Sequence, residues 1–461
     1  MERLTGIDAT LVQRETPAQL LHVCEIVELD PATLPEPYSF EAVRADVAER
    51  VRQIPEFRRK LADSMFNLGK PVWVDDPDYD IERHCHRIAV PAPGDDAELA
   101  RLCGHLASQP LDRGKPLWEM WVVEGLAGGR VAVLIKVHHA GIDADAGATI
   151  VEQLFGIDAP PPEDPDEELP EGTPATASPT RTAGGLNSVE LALGGLLEVA
   201  VRPFEFWRTL PSSVPSLPAW ITRQRRPVPA PRVSFNGSIT GHRAIAWTQL
   251  ELDRVQAVAD GYDVAVPDVV LAVVSGALRM YLEDRGELPD SSLAALVPED
   301  YGADVLRSIR TLHTDLDDPE RRLKEIAASA PDTTEPGDQG GTWAQRAASA
   351  VFGSTVRGYA TRRLSEGHPV VHNVVVATVP APRGPLHFLG GRITAAYALG
   401  AVFHGDGLNV GVTVREDRID IGLIACAELV PDLWSLVESL TDALDELAEP
   451  AVTARGIDRK P

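Results

Sequence analysis

The sequence predicts a mixed α/β (α+β) chain built as two halves. Helix-forming and strand-forming segments alternate on both sides of the chain's middle, several strand segments are too apolar to leave a face in water, and the middle is rich in proline and acid. Mixed sheets flanked by helices, formed twice, are the expected outcome of such alternation. With 461 residues, 44% of them hydrophobic and 24% charged, the chain can bury more than one core and is not disordered as a whole.

In the first half, the spacing of Ser39 to Val51 predicts a helix. Arg130 to Val137 (RVAVLIKV) is short and almost wholly apolar, which predicts a strand buried on both faces. The segment AGATIVEQLFG that follows is predicted helical. From Asp158 to Glu171 the chain carries seven acidic residues, five prolines and no basic residue, then continues in small residues and proline to Gly185. Charge repulsion and proline geometry predict an extended linker there. A second proline-rich stretch spans Pro211 to Pro231. Between them lie the apolar run VELALGGLLEVAV, then Phe204, Phe206, Trp207 and Trp220, then Arg223, Arg225 and Arg226. Two readings stay open: helices packed on the seam between the halves, or an interfacial segment docking on a membrane or lipid droplet. Glu190 and Glu198 interrupt the run, which is too short to span a bilayer.

In the second half, Pro267 to Arg285 is predicted as a long apolar helix, with proline in the first turn where its missing N–H does no harm. Val371 to Thr378, Leu408 to Val414 and Ile419 to Ile424 are predicted strands, and Pro431 to Leu447 a closing helix. The expected division is 1–157, a connector 158–231, and 232–461.

Lys and Arg number 43 against 69 Asp and Glu, a net charge of −26. So negative a surface repels phosphate backbones and argues against nucleic acid as a partner. An acidic ligand requires a local basic patch. The four cysteines are scattered without a CxxC pair, which suits a reducing compartment and argues against structural zinc. No charged-then-apolar leader opens the chain and no run of roughly 20 apolar residues interrupts it, so a cytoplasmic protein is expected, soluble or peripheral at the inner membrane or lipid inclusions.

The sharpest chemical feature is Lys136-Val137-His138-His139-Ala140-Gly141-Ile142-Asp143-Ala144, directly after the apolar strand. Adjacent strand side chains point to opposite faces, so His138 and His139 cannot do the same job. An imidazole titrates near neutral pH and can take a proton from a hydroxyl. An Asp four positions on can hold the loop that carries it. On these residues alone, two buried strand-end histidines with Asp143 or Asp145 capping the next helix explain the string as well. His84-Cys85-His86 lacks a third ligand nearby and reads as packing, and Asp143-Ala144-Asp145-Ala146-Gly147 lacks the rest of a calcium loop. Neither GxGxxG, GxxxxGK[ST] nor GxSxG is present, so no nucleotide cofactor or serine hydrolase is indicated.

Other segments accompany the histidines: Pro71-Val72-Trp73-Val74-Asp75-Asp76-Pro77, Gln109 to Glu119 (QPLDRGKPLWE), Phe235-Asn236-Gly237, Val269-Val270-Leu271-Ala272, Gly276-Ala277-Leu278-Arg279 and Thr378-Val379-Pro380-Ala381-Pro382. In this order and spacing the chain resembles the bacterial wax ester synthase/acyl-CoA:diacylglycerol acyltransferase family, in particular its actinobacterial triacylglycerol synthase branch. The resemblance runs from Leu4 to about Leu447. PLDRGKPLWE beside HHxxxD is its most specific part. It implies a CoA-dependent acyltransferase fold of two chloramphenicol-acetyltransferase-like halves with the active site in a tunnel between them. It also implies His139 as general base toward a diacylglycerol or long-chain alcohol, with acyl-CoA as substrate and no resident cofactor or metal. His138 and Asp143 then support the base. The chain departs from the family at Ala144, where HHxxxDG ends in Gly, at Pro267, where an Asn precedes Asp268, and at Thr378 and Ala381, where an Asn-Val-Pro-Gly-Pro string is usual. These losses keep a second reading open, a catalytically weakened homologue that binds acyl-CoA or lipid or acts as a lipid-body scaffold.

Overall fold

The structure is a computed structural model that describes residues 2–3, 15–62, 72–138, 154, 230–297, 309–329, 370–379 and 386–457. The acidic linker, the apolar connector and nearly all of the helix predicted after the histidine motif lie outside these residues.

The first half contributes β1 (Glu2–Arg3), β2 (His22–Leu29), α1 (Phe40–Gln53), β3 (Arg59–Ala62), β4 (Val72–Asp75), β5 (Cys85–Ala89), α2 (Asp96–Ala107), β6 (Trp118–Glu124) and β7 (Val131–His138). The predicted helix at 39–51 is α1, with the Ser39 hydroxyl accepting from the Ala42 N–H as its cap. The apolar strand is β7, and all eight of its residues are buried. Its alternation divides two cores. Val131, Val133, Ile135 and Val137 pack with Val43, Val47 and Val51 of α1 and with Leu154. Ala132 and Leu134 pack with Leu99, Cys103 and Leu106 of α2.

The second half contributes β8 (Arg243–Glu251), α3 (Leu252–Tyr262), α4 (Val266–Asp284), β9 (Ala294–Leu296), β10 (Ile309–Thr311), α5 (Pro319–Ala328), β11 (Val374–Val379), β12 (His387–Phe388), β13 (Gly391–Leu399), β14 (Leu408–Val414), β15 (Arg418–Cys426) and α6 (Leu433–Ile457). The long apolar helix is α4, with Pro267 in its first turn as predicted. The predicted strands appear as β11, β14 and β15, and the closing helix as α6. The first begins at Val374 rather than Val371, with the Asn373 N–H already bonded to the Ala294 carbonyl of β9 and the side chains of His372 and Asn373 bonded ahead of the ladder.

Two six-stranded sheets result, ordered β12-β13-β2-β7-β6-β5 and β10-β9-β11-β14-β15-β8, with β1, β4 and β3 as a small third sheet. Residues 387–399 of the second half thus join the first half's sheet, with β13 antiparallel to β2. Buried Asp420 on β15 grips this crossing strand. Its Oδ2 accepts the Ala396 N–H at 2.7 Å and its Oδ1 accepts Gln249 Nε2 at 2.8 Å. Arg415, 3.3 Å from the same carboxylate, donates to the Ile393 carbonyl at 3.0 Å. Glycine is required where β13 crosses, since a Cβ at Gly411 would stand 2.1 Å from the Ala398 carbonyl oxygen. The α2-side core continues into Ile245, Trp247, Ile424 and Cys426 of the second sheet, so the seam is itself hydrophobic core.

No single helix among the described residues is long and apolar enough to cross a membrane. The pair α3 and α4 passes only jointly, across a bend of 102°, and most of α4 is buried in the second half's core.

Candidate functional site

β7 ends at His138, and the structure describes this first histidine of the motif while His139, Asp143, Ala144 and Ala381 lie outside the described residues. His138 is 1% exposed. Its backbone N–H donates to the Leu117 carbonyl at 2.9 Å, and its Nε2 stands 3.8 Å from Glu15 Oε2. Across the ladder it is paired with His22, the first residue of β2. His22 donates through Nε2 to the Ala107 carbonyl, 2.8 Å away. A carbonyl only accepts, so Nε2 carries the proton. Burial, with help from the nearby Lys136 charge, pushes the His22 pKa down to about 3.

Two residues before His138, on the same face, the Lys136 ammonium is 1% exposed. It donates to the Leu106 and Gln109 carbonyls at 3.2 and 3.0 Å and stands 3.2 Å from Glu119 Oε2. A cation against the last carbonyls of α2 is favoured by the helix dipole as well. Lys136 thus ties β7 to the C-terminal end of α2.

The PLDRGKPLWE segment is the other brace. Leu111 and Leu117 pack with Leu61 and Trp73. Asp112 Oδ1 accepts the Gly114 N–H at 2.8 Å, turning the chain, and Arg113 donates to Glu15 at 2.8 Å. Trp118 donates through Nε1 to the Phe57 carbonyl at 2.8 Å, meets Phe57 edge-on, and stacks on His84 at 4.7 Å. His84 is thereby sandwiched against Tyr79, its Nδ1 2.8 Å from the Trp118 carbonyl, while His86 leans on Trp121. Among the described residues no His, Cys, Asp and Glu gather as a metal site.

The second half approaches the same end of the seam. The His404 N–H donates to Gln19 Oε1 at 3.4 Å, and Arg243, largely buried, donates to the Ala18 carbonyl at 2.8 Å while its own N–H donates to Ser108. Burial lowers the Arg243 pKa, as expected for a guanidinium taken from water. Asn236 and Asn373 form a buried brace: Asn236 Nδ2 donates to the Asn373 and Gly405 carbonyls at 2.9 and 2.8 Å, and Asn373 Nδ2 donates to Asn236 Oδ1 at 2.8 Å. Next to it, His372 Nε2 stands 3.2 Å from Asp406 Oδ1, both buried. Glu15, His22, Gln19, Arg243 and the His372–Asp406 pair belong to no motif noted in the sequence. Strand register sets His22 opposite His138, and tertiary packing brings Glu15 to within 3.8 Å of its ring.

Of the departures, Pro267 stands in the first turn of α4 beside the retained Asp268, whose Oδ1 accepts from Arg310 at 3.0 Å in a buried ion pair. Thr378 lies exposed near the end of β11. A polar cleft of about 310 Å³ also lies on the seam, lined by Glu28, Asp30, Gly128, Arg130, Gln249, Thr394 and Ala395. It opens beside Arg130, just before β7, on the order of 20 Å from His138 at strand rise.

Comparison with known proteins matches this arrangement throughout its length. The wax ester synthase/diacylglycerol acyltransferase catalytic domain matches residues 4–270, and the WS/DGAT C-terminal domain matches 305–448. A protein of Mycobacterium tuberculosis named as a candidate diacylglycerol O-acyltransferase is 37% identical, covering 97% of this chain and 90% of its own. A second so named, from the same species, is 33% identical over 96% and 99%. The wax ester synthase/diacylglycerol acyltransferase of Marinobacter aquaeolei superposes with a TM-score of 0.68 at 25% identity, covering 97% and 99%. The first condensation domain of the CDA synthetase, at 16% identity and a TM-score of 0.53, shares the fold. The chain belongs to the wax ester synthase/diacylglycerol acyltransferase family and has the CoA-dependent acyltransferase fold of two similar halves.

Proposed function

We propose that this chain moves a long-chain acyl group from acyl-CoA to a diacylglycerol or a long-chain alcohol, with His139 as general base. The observation that carries the assignment of roles is the burial of His138. Its backbone is held by Leu117 and its ring is enclosed at 1% exposure beside Glu15. A ring so enclosed suits support, which leaves proton transfer to the residue that follows.

In the proposed reaction His139 takes the acceptor hydroxyl proton as the oxygen attacks the thioester carbonyl carbon. The tetrahedral oxyanion needs hydrogen-bond donors and collapses as the C–S bond breaks. The departing thiolate takes the proton from the imidazolium, giving ester and free CoA. Protons and electrons balance without a resident metal or cofactor, so acyl-CoA enters as substrate. Asp143 holds the loop and does not touch substrate. A peripheral association at the inner membrane or lipid inclusions, through the aromatic and basic connector of residues 187–226, fits lipid acceptors and is part of the proposal. So is the division into 1–157, 158–231 and 232–461.

CoA release from palmitoyl-CoA, with diolein or hexadecanol as acceptor, tests the reading. His139→Ala should lower turnover by roughly 10²–10⁴-fold with the fold intact. His138→Ala should lower stability and turnover together. Full turnover in His139→Ala would reverse the roles. No release from the native protein with any acceptor, alongside tight palmitoyl-CoA binding, would favour the weakened homologue or scaffold.

A further inference from the structure

Glu15 precedes β2 and belongs to none of the motifs named above, yet it stands beside the His138 ring. Its side chain is 8% exposed, and among the described residues its carboxylate meets Arg113, Leu21 and His138. Oε2 accepts from Arg113 at 2.8 Å, Oε1 accepts the Leu21 N–H at 3.3 Å, and Oε2 faces His138 Nε2 at 3.8 Å. Arg113 belongs to the segment whose Leu117 carbonyl accepts the His138 N–H. That segment therefore reaches His138 directly through the main chain, and by way of Arg113 it holds the Glu15 carboxylate 3.8 Å from the ring, beyond hydrogen-bond reach but within reach of its charge.

Charge makes the second route matter. Lys136 from the same strand and Arg113 from the loop bring positive charge to this end of β7, and Arg243 brings more from the second half. The Glu15 carboxylate is itself nearly buried and pairs with Arg113, whose guanidinium is partly exposed. It also has few alternative positions, because the Leu21 N–H holds one of its oxygens and Arg113 Nη2 the other. His138 consequently faces a fixed negative charge at the point where β7 ends.

We propose that Glu15 is a positioning residue of the acyl-transfer site: through Arg113 and the His138 ring it fixes the end of β7 and so the place where His139 is presented. The proposal rests on His139 as the base, and it explains why PLDRGKPLWE accompanies HHxxxD. Glu15 does not touch substrate. It acts through geometry, to which proton transfer between positioned groups is steeply sensitive.

The test uses the full chain with Glu15→Gln, Glu15→Asp, Arg113→Gln and the double variant Glu15→Gln/Arg113→Gln. Glu15→Gln should lower kcat by about 10–100-fold while KM for palmitoyl-CoA stays within about threefold. Its melting temperature should fall by no more than about 3 °C, and Glu15→Asp should recover part of kcat. The double variant should be no slower than the slower single one, since both break one chain of contacts. Unchanged kcat, additive losses, or a loss of kcat that only tracks melting would overturn the proposal. A second readout needs no turnover: in protein with ¹⁵N-labelled histidine, the His138 ring signal, identified by its disappearance in His138→Gln, should move in Glu15→Gln. An unmoved signal also overturns it. If His139→Ala keeps full turnover, the base assignment fails by itself, and the ring signal still decides whether Glu15 governs His138. Should Glu15→Gln not fold, Arg113→Lys carries the same two readouts.

Discussion

His22 and His138 face each other across antiparallel strands, and the two buried rings meet different surroundings. His138 looks toward the Glu15 carboxylate 3.8 Å away, whereas His22 faces the Ala107 carbonyl at Nε2. With its pKa moved from 6.5 to about 3, folded His22 stays neutral where the unfolded chain takes a proton. The folded pKa lies below the unfolded one, so stability rises with pH through this window and is lost on acidification. His22 alone should remove about 2 kcal/mol between pH 7.5 and pH 5. Urea unfolding of His22→Gln beside the native protein should show that much less loss over the same range, and parallel pH profiles would contradict the assignment. The adjacent histidines and the aspartate after them were legible as a string. That His22, more than a hundred residues away, is the cross-strand neighbour of the first of them was not, because register is a pairing property that no local pattern records.

Among elements, α4 shows what a departure from family pattern means physically. Pro267 occupies the first turn, where a proline is tolerated, while Asp268 meets Arg310 in a buried pair that ties the start of α4 to β10. Removing one partner leaves the other charged and buried. Asp268→Ala should therefore destabilise by roughly 3–5 kcal/mol, measured by chemical unfolding. Pro267→Asn should change stability by less than about 1 kcal/mol, as befits a position with no hydrogen bond to lose. Equal effects would mean that Pro267 carries a contact beyond its ring. The span of α4 was readable from its apolar run and its proline. The pairing of Asp268 was not, since Arg310 lies in another element. His84-Cys85-His86 was readable as packing, but the slot between Tyr79 and Trp118 that receives His84 exists only once β6 and the turn before β5 are in place.

At the scale of the molecule, the two halves are joined by exchange of backbone as well as by a shared core. β13 leaves the second half to pair with β2, and Asp420, fully buried, holds its backbone from the second sheet. Asp420→Ala would leave the Ala396 N–H without its acceptor and Arg415 without its buried carboxylate. The expected loss is roughly 3–5 kcal/mol, with the two halves melting closer to independence in calorimetry. A single transition at the native temperature would show that the seam core suffices. Alone, the sequence determined the mixed α/β class, the doubled plan, the apolar β7, the long helix α4 and the histidine string at a strand end. These are local properties, set by the period of apolar residues and by proline and charge. The crossing of residues 387–399 into the first sheet, the Asp420 clamp, the Asn236–Asn373 brace and the enclosure of His138 by Glu15 and Arg113 were decided by tertiary structure. Each joins residues far apart in the chain, and the free energy that selects them comes from burying polar groups only where distant partners satisfy them.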